Sequence, residues 1–155
     1  METSDNDLEN RALRLLGRRE HSRLELWQKL YRKAADDDQL SRVLDQLESA
    51  GWLDDLRFAE VYARQRREVG YGPIRIRAEL EQRGVTQVPE TLSGVSEAEW
   101  QDAAARQRLR RFGDDGENLS WKEMARQSRF LAQRGFSRRQ IEAAMAMSLD
   151  DCFEP

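Results

Sequence analysis

Apolar residues recur along the chain at spacings of three and four: Leu8, Ala12, Leu15 and Leu16, then Leu24, Trp27, Leu30 and Tyr31, then Leu40, Val43, Leu44 and Leu47. Such spacing lines one face of an α-helix, so it predicts three helices of about three turns each before Gly51. After Gly51, Asp54 or Asp55 can cap a fourth helix carrying Phe58, Ala59 and Tyr62, and Pro73 stands where a first-turn proline opens a fifth carrying Ile76 and Leu80. Pro89 and Gly94 limit anything between them to about one turn. A longer helix led by Ser96 carries Trp100, Ala104 and Leu109 and closes at Phe112 and Gly113; beyond a turn-rich loop, Trp121, Met124 and Leu131 mark one more helix, and Ile141 and Met145 the last, capped by Ser137.

Local punctuation supports the pattern. Ser22 with Glu25, Ser96 with Glu99, and Ser120 with Glu123 have the spacing at which a serine cap and a glutamate three residues on satisfy each other's free amides. Gly51, Gly70, Gly84 and Gly135 each follow a helical stretch, where a left-handed residue closes the last turn. Leu (18), Ala (16) and Arg (23) dominate, whereas Val, Ile and Thr together number 12, which favours helix over sheet. The fold expected is all-α.

A repeat emerges when the helices are aligned. Leu80-Glu81-Gln82-Arg83-Gly84-Val85 recurs 51 residues later as Leu131-Ala132-Gln133-Arg134-Gly135-Phe136, and an earlier copy runs through Leu30-Tyr31-Arg32-Lys33, with Ala34-Ala35 in place of the glycine turn. This divides the chain into three tandem three-helix repeats, residues 1–50, 51–95 and 96–155. Three short helices bury too little alone, so the repeats are expected to pack into an elongated curved array with one extended face.

Composition excludes much chemistry. The single His21 and single Cys152 leave neither an internal disulfide, nor a zinc cage, nor a His-based facial triad. No phosphate-binding glycine loop, dinucleotide fingerprint or nucleophile elbow appears. Of the carboxylate clusters Asp36-Asp37-Asp38, Asp54-Asp55 and Asp114-Asp115, the first lacks calcium-loop spacing, and helix capping explains all three at lower cost. No catalytic residue and no cofactor are expected. A mean hydropathy of −0.87 comes with no long apolar run and no basic-then-apolar leader after Met1, so the chain is read as cytoplasmic, without a membrane span.

Charge is uneven. The net charge is −3, yet residues 106–139 hold ten basic residues against four acidic ones, and residues 64–83 hold six arginines against three glutamates. Stripes of this kind face phosphates or an acidic protein groove, since arginine presents a planar fork to either; solvated helix faces give the same pattern. On the fifth helix Arg75, Glu79 and Arg83 stand at helical pairing distances. Trp27, Trp52, Trp100 and Trp121 invite a base-stacking reading, but core packing is the expectation for the set. Tyr71, held between Gly70 and Gly72 beside Arg66, Arg67 and Arg75, is the better surface-contact aromatic.

The block Gly51-Trp52-Leu53-Asp54-Asp55-Leu56-Arg57-Phe58-Ala59-Glu60-Val61-Tyr62, followed by Gly70-Tyr71-Gly72-Pro73-Ile74-Arg75-Ile76-Arg77-Ala78-Glu79-Leu80 and Arg83-Gly84-Val85, resembles the RecX family of bacterial recombinase regulators. The likeness extends more weakly to Ser22 through Leu30, and to Trp100, Phe112-Gly113 and Phe130 to Phe136; the missing glycine turn after Lys33 and the irregular run 86–95 depart from it. The resemblance implies a non-enzymatic monomer of homologous recombination, DNA repair and the SOS response. Such a protein lies in the groove of the RecA recombinase filament and hinders its growth, ATP turnover, strand exchange and stimulated repressor cleavage. The contact residues expected are Arg64, Arg67, Tyr71, Arg75, Arg77 and Arg83, with Arg126, Arg129, Arg138 and Arg139 second. Direct contact with single-stranded or duplex DNA is a further expectation. A free-standing DNA-binding protein and a helical scaffold for another partner are the alternatives.

Overall fold

A computed structural model describes residues 3–114 and 119–147. Among them lie nine α-helices and no strand: α1 (Asp5–Arg18), α2 (Arg23–Leu30), α3 (Asp37–Ser49), α4 (Asp55–Val69), α5 (Pro73–Gln82), α6 (Glu90–Ser93), α7 (Glu97–Phe112), α8 (Trp121–Arg134) and α9 (Arg138–Ala146). The all-α expectation holds, and the segment between Pro89 and Gly94 is the single turn its flanking residues allow.

Helix starts follow the serine pattern. Ser22 and Ser96 form two-way boxes with Glu25 and Glu99, and Ser137 does the same with Gln140. At α8 only half the box forms: the Ser120 hydroxyl accepts from Glu123 N at 3.1 Å, but the Glu123 carboxylate is taken by Gln127 Nε2 at 3.1 Å and Arg126 Nη1 at 3.2 Å. The cap of α4 is Asp54, whose carboxylate accepts from Arg57 N at 3.0 Å; Asp55 instead accepts from Arg23 N at 2.7 Å and ties the start of α4 to α2.

Helix ends follow the glycine pattern. At Gly51, Gly70, Gly84 and Gly135 φ lies between 78° and 109°, and the next amide reaches back five residues: Trp52 N to Leu47 O, Tyr71 N to Arg66 O, Val85 N to Leu80 O and Phe136 N to Leu131 O. This is the left-handed closure that leaves two carbonyls satisfied; the residue that follows is buried at Val85 and Phe136, half-buried at Tyr71 and exposed at Trp52. The two aligned hexapeptides thus share one geometry.

The chain divides into two compact units, Met1–Tyr62 with Leu80–Pro89 and Ala63–Glu79 with Glu90–Pro155. In the first, α1, α2 and α3 enclose Leu8, Ala12, Leu26, Leu30, Leu40, Val43, Leu44, Leu47 and Leu53, against which Trp27 packs. Each buried leucine contributes roughly 1.5–3 kcal/mol. Tyr31, expected on the apolar stripe of α2, is 46% exposed because the buried face runs through Leu26 and Leu30. In the second unit α7, α8 and α9 bury Trp100, Ala104, Ala105, Leu131 and Ala144. The tryptophans divide: Trp100 is core and Trp27 half-buried, but Trp52 and Trp121 are 59% and 90% exposed, so the core expectation fails for those two.

Candidate functional site

Tyr71 stands at the hinge of the second unit's geometry. α4 ends at Gly70, and α5 begins at Pro73, which has no N–H to lose. Between them Gly72 N donates to Arg134 O at 2.8 Å and Ile74 N to Gly135 O at 3.0 Å, so the first turn of α5 sits directly on the turn between α8 and α9. Only glycine permits this approach. A Cβ on Gly72 would meet the Gly135 carbonyl at 2.5 Å, and one on Gly135, already at φ +100°, would strike the Cβ of Arg75.

The junction gathers three guanidinium groups around one ring. The Tyr71 centroid lies 3.9 Å from Arg66 Cζ, 4.3 Å from Arg75 Cζ and 4.9 Å from Arg134 Cζ. Each such contact is worth about 0.5–2 kcal/mol. Arg66 is also held by Glu79 through two parallel bonds of 3.0 and 2.9 Å, while Arg75 donates to Gln133 O at 2.9 Å and lies 3.9 Å from the same carboxylate. Arg134 forms no ion pair with a described residue. The cluster therefore carries positive charge in excess, on side chains gathered against one ring. Tyr71 is half-buried among the arginines, so it acts here by positioning them.

The other expected contact residues are dispersed. Arg64 and Arg67 line a cleft of about 460 Å³ with Glu68 and Glu99 and, from α7, Arg106 and Arg110. There Arg67 pairs with Glu99 at 3.5 Å and lies 5.6 Å from the Trp100 ring. Arg77 is exposed on α5, two residues from Arg75 and so on its opposite face. Arg83 belongs to the first unit, 3.8 Å from a Glu25 oxygen and 4.6 Å from the Tyr62 ring. Arg126 pairs with Glu123 at 3.2 Å and Arg138 with Glu142 at 3.1 Å; Arg129 and Arg139 are exposed without an ion pair among the described residues.

Arg134, which completes the Tyr71 cluster, was not among the expected residues. The internal repeat carries its signal, since Arg134-Gly135 aligns with Arg83-Gly84. Arg106 and Arg110 lay in the basic run but stood out by nothing in their spacing.

Among the described residues no group of three or more His, Cys, Asp and Glu could hold a metal ion, and no helix is long and apolar enough to cross a membrane. Cys152 lies outside the described residues. His21 is buried: its Nδ1–H donates to the Arg19 carbonyl at 3.0 Å, which leaves Nε2 to accept from Lys29 Nζ at 3.0 Å. Burial, with the neighbouring Arg19 and Lys29 charges, holds its pKa below the ordinary histidine value.

Comparison with known proteins gives a consistent picture over most of the chain. Residues 10–47, 54–87 and 97–145 match the family models for the first, second and third three-helix domains of RecX. The regulatory protein RecX of Halorhodospira halophila is 46% identical over 142 residues, spanning 90% of this chain and 87% of that protein. The regulatory protein RecX of Stenotrophomonas maltophilia is 41% identical over 143 residues, spanning 91% and 86%. Crystal structures speak to the fold: RecX from Lactobacillus salivarius superposes with a TM-score of 0.75 at 19% identity over 91% of this chain and 94% of that one, and another regulatory protein RecX with 0.79 at 19% identity over 92% and 73%.

Proposed function

Because the chain belongs to the RecX family of regulatory proteins, we propose that it binds the filament of the RecA recombinase and restrains filament growth, ATP turnover, strand exchange and stimulated repressor cleavage. Its action is occupancy, not catalysis, and it works as a cytoplasmic monomer. The observation that carries the reading beyond family membership is the Tyr71 cluster: three guanidiniums preset by one ring, with charge in excess, form a surface ready to meet carboxylate or phosphate without first losing side-chain freedom. Arg64, Arg67, Arg75, Arg77, Arg126, Arg129, Arg138 and Arg139 of the second unit and Arg83 of the first supply the remaining contacts. Complementary charge of this kind raises the encounter rate and is screened by salt.

The test is ATP turnover by preformed RecA filaments on single-stranded DNA, titrated with this protein. Inhibition that weakens with added salt, and that Arg75→Glu reduces at least tenfold in potency while the variant keeps its helical content, supports the reading. Turnover unchanged at a several-fold excess of the protein over recombinase would sink it.

A further inference from the structure

The cleft lined by the end of α4 and by α7, about 460 Å³ in volume, holds charges that do not neutralise one another. On α7 they come in order, Glu99 and Asp102 first, then Arg106 and Arg110, while α4 adds Arg64 and Arg67. Arg67 and Glu99 pair at 3.5 Å, but Arg64, Asp102, Arg106 and Arg110 form no ion pair with a described residue, and neither does Glu68 at the same cleft. Asp102 and Arg106 stand one helical turn apart, the spacing at which such a pair closes. Elsewhere in the chain Arg23, Arg42, Arg57 and Arg66 each meet a carboxylate at 2.8–2.9 Å.

The cleft also holds an open amide. Gly70 is buried at φ +109°, and a Cβ there would strike the side chain of Gln107, which crosses directly over it. The Gln107 amide makes no hydrogen bond with a described residue, so its two N–H groups and its carbonyl stand at the cleft without a protein partner. Compensation of the helix dipole would place acids first and arginines last along α7. It would not bring Arg64 into the same cleft, nor leave a glutamine amide open there. Of the lining side chains only that of Ala103 is apolar, so an apolar ligand would find little to cover.

We infer that this cleft binds a free ribonucleoside triphosphate, with the phosphates held by Arg64, Arg106 and Arg110 and the ribose 2′-hydroxyl by Asp102. The volume falls within the range of about 300–1,000 Å³ in which small ligands are held. Guanidinium forks match phosphate oxygens, and a carboxylate with free lone pairs accepts from a ribose hydroxyl. At about 1.5 Å per residue, Asp102 and Arg110 lie about 12 Å apart along the axis, which separates a sugar end from a phosphate end, with Gln107 between them. Inorganic polyphosphate would satisfy the arginines but would set an anion against Asp102; a nucleotide turns a hydroxyl to it instead. The inference concerns binding alone and stands apart from the recombinase reading, in which Asp102, Arg106, Gln107 and Arg110 have no part.

The experiment is calorimetric titration of the full chain with ATP, dATP and tripolyphosphate in turn, without DNA or recombinase. ATP is expected to bind saturably, and dATP and tripolyphosphate about fivefold more weakly, the worth of one hydrogen bond. Arg106→Gln and Arg110→Gln should each weaken ATP at least about tenfold, because each removes charge-assisted bonds. Asp102→Ala should erase the preference for ATP over dATP, a ratio that a general loss of structure would not move selectively. Arg11→Gln, on the exposed side of α1, should leave both affinities unchanged, and helical content is checked for every variant. No saturable ATP binding up to about 1 mM, equal affinity for ATP and tripolyphosphate, a preference for ATP over dATP that survives Asp102→Ala, or an equal loss in Arg11→Gln would each overturn the inference.

Discussion

Gly135 is the residue on which the site's geometry turns, and replacing it with alanine has a calculable cost. At φ +100° an L side chain pays about 1–2 kcal/mol for the left-handed backbone. The new methyl would also strike Arg75, so the first turn of α5 must withdraw, weakening the bonds from Gly72 N to Arg134 O and from Ile74 N to Gly135 O. Two such bonds contribute about 1 kcal/mol each, giving roughly 3–4 kcal/mol for Gly135→Ala. Gly51 supplies the control, because its φ is +83° but a Cβ there meets nothing within 4 Å. Gly51→Ala should therefore cost only the backbone part, about 1–2 kcal/mol. Urea unfolding measures both, with Trp27 and Trp52 reporting on the first unit and Trp100 and Trp121 on the second. Equal losses in the two variants would refute the claim that close approach of α5 constrains Gly135. The same variant should also loosen Arg75 and Arg134 from Tyr71 and reduce inhibition of the recombinase, whereas Gly51→Ala should not.

Three other outcomes follow from buried polar groups. His21 has a folded pKa below its unfolded one, chiefly from burial and then from the Arg19 and Lys29 charges, so its contribution is complete above about pH 6.5 and is lost as pH falls toward the folded value. The urea midpoint should drop as pH falls below that point, and His21→Asn should flatten the dependence. Asp55 is the opposite case: burial raises its pKa above the unfolded value, so its contribution is present in acid and lost as pH rises through the raised value. Asp55→Asn, which keeps an acceptor for Arg23 N, should be at least as stable as the parent at neutral pH, while Asp55→Ala should lose about 1–2 kcal/mol. Arg108 is wholly buried and donates to Gln127 Oε1 at 2.9 Å, Ala144 O at 3.0 Å and Met147 O at 3.2 Å, with Nη2 lacking a partner. Arg108→Met should cost about 3 kcal/mol and the double variant with Gln127→Leu less than the sum of the singles; additivity within about 0.5 kcal/mol would show the two side chains uncoupled.

What could be read from the sequence, and what could not, divides by the range of the interaction. Serine caps and glycine ends are decided within five residues: Gly51, Gly70, Gly84 and Gly135 close their helices with the same five-residue bond, while Gly113 ends α7 with an extended ψ of −178° instead. Where residue type and helical position disagreed, position was the better guide. Arg108 falls one turn after Ala104 and two after Trp100, on the buried stripe of α7, yet its charge marked it as surface. Trp121 was assigned to the core by type, although at ~100° per residue it stands well away from Gln127 and Leu131, the buried residues of α8.

The Tyr71 cluster was half visible for the same reason. Arg66 and Arg75 flank Tyr71 in the chain, but Arg134 is brought to the ring by a turn more than sixty residues away, which only the internal repeat hints at. The cluster also bears on the ratio of 23 arginines to 3 lysines, for which codon bias would suffice if the charges were merely solvated. Arg66 makes two parallel bonds to Glu79 while lying 3.9 Å from the Tyr71 centroid, and Arg75 and Arg134 hold the same ring at 4.3 and 4.9 Å. An ammonium can approach a ring, but it cannot stack flat on it and grip a carboxylate through a fork at once. At position 66 arginine is required by geometry, so Arg66→Lys should release Glu79 from its two-point grip and cost more than the same exchange at exposed Arg77.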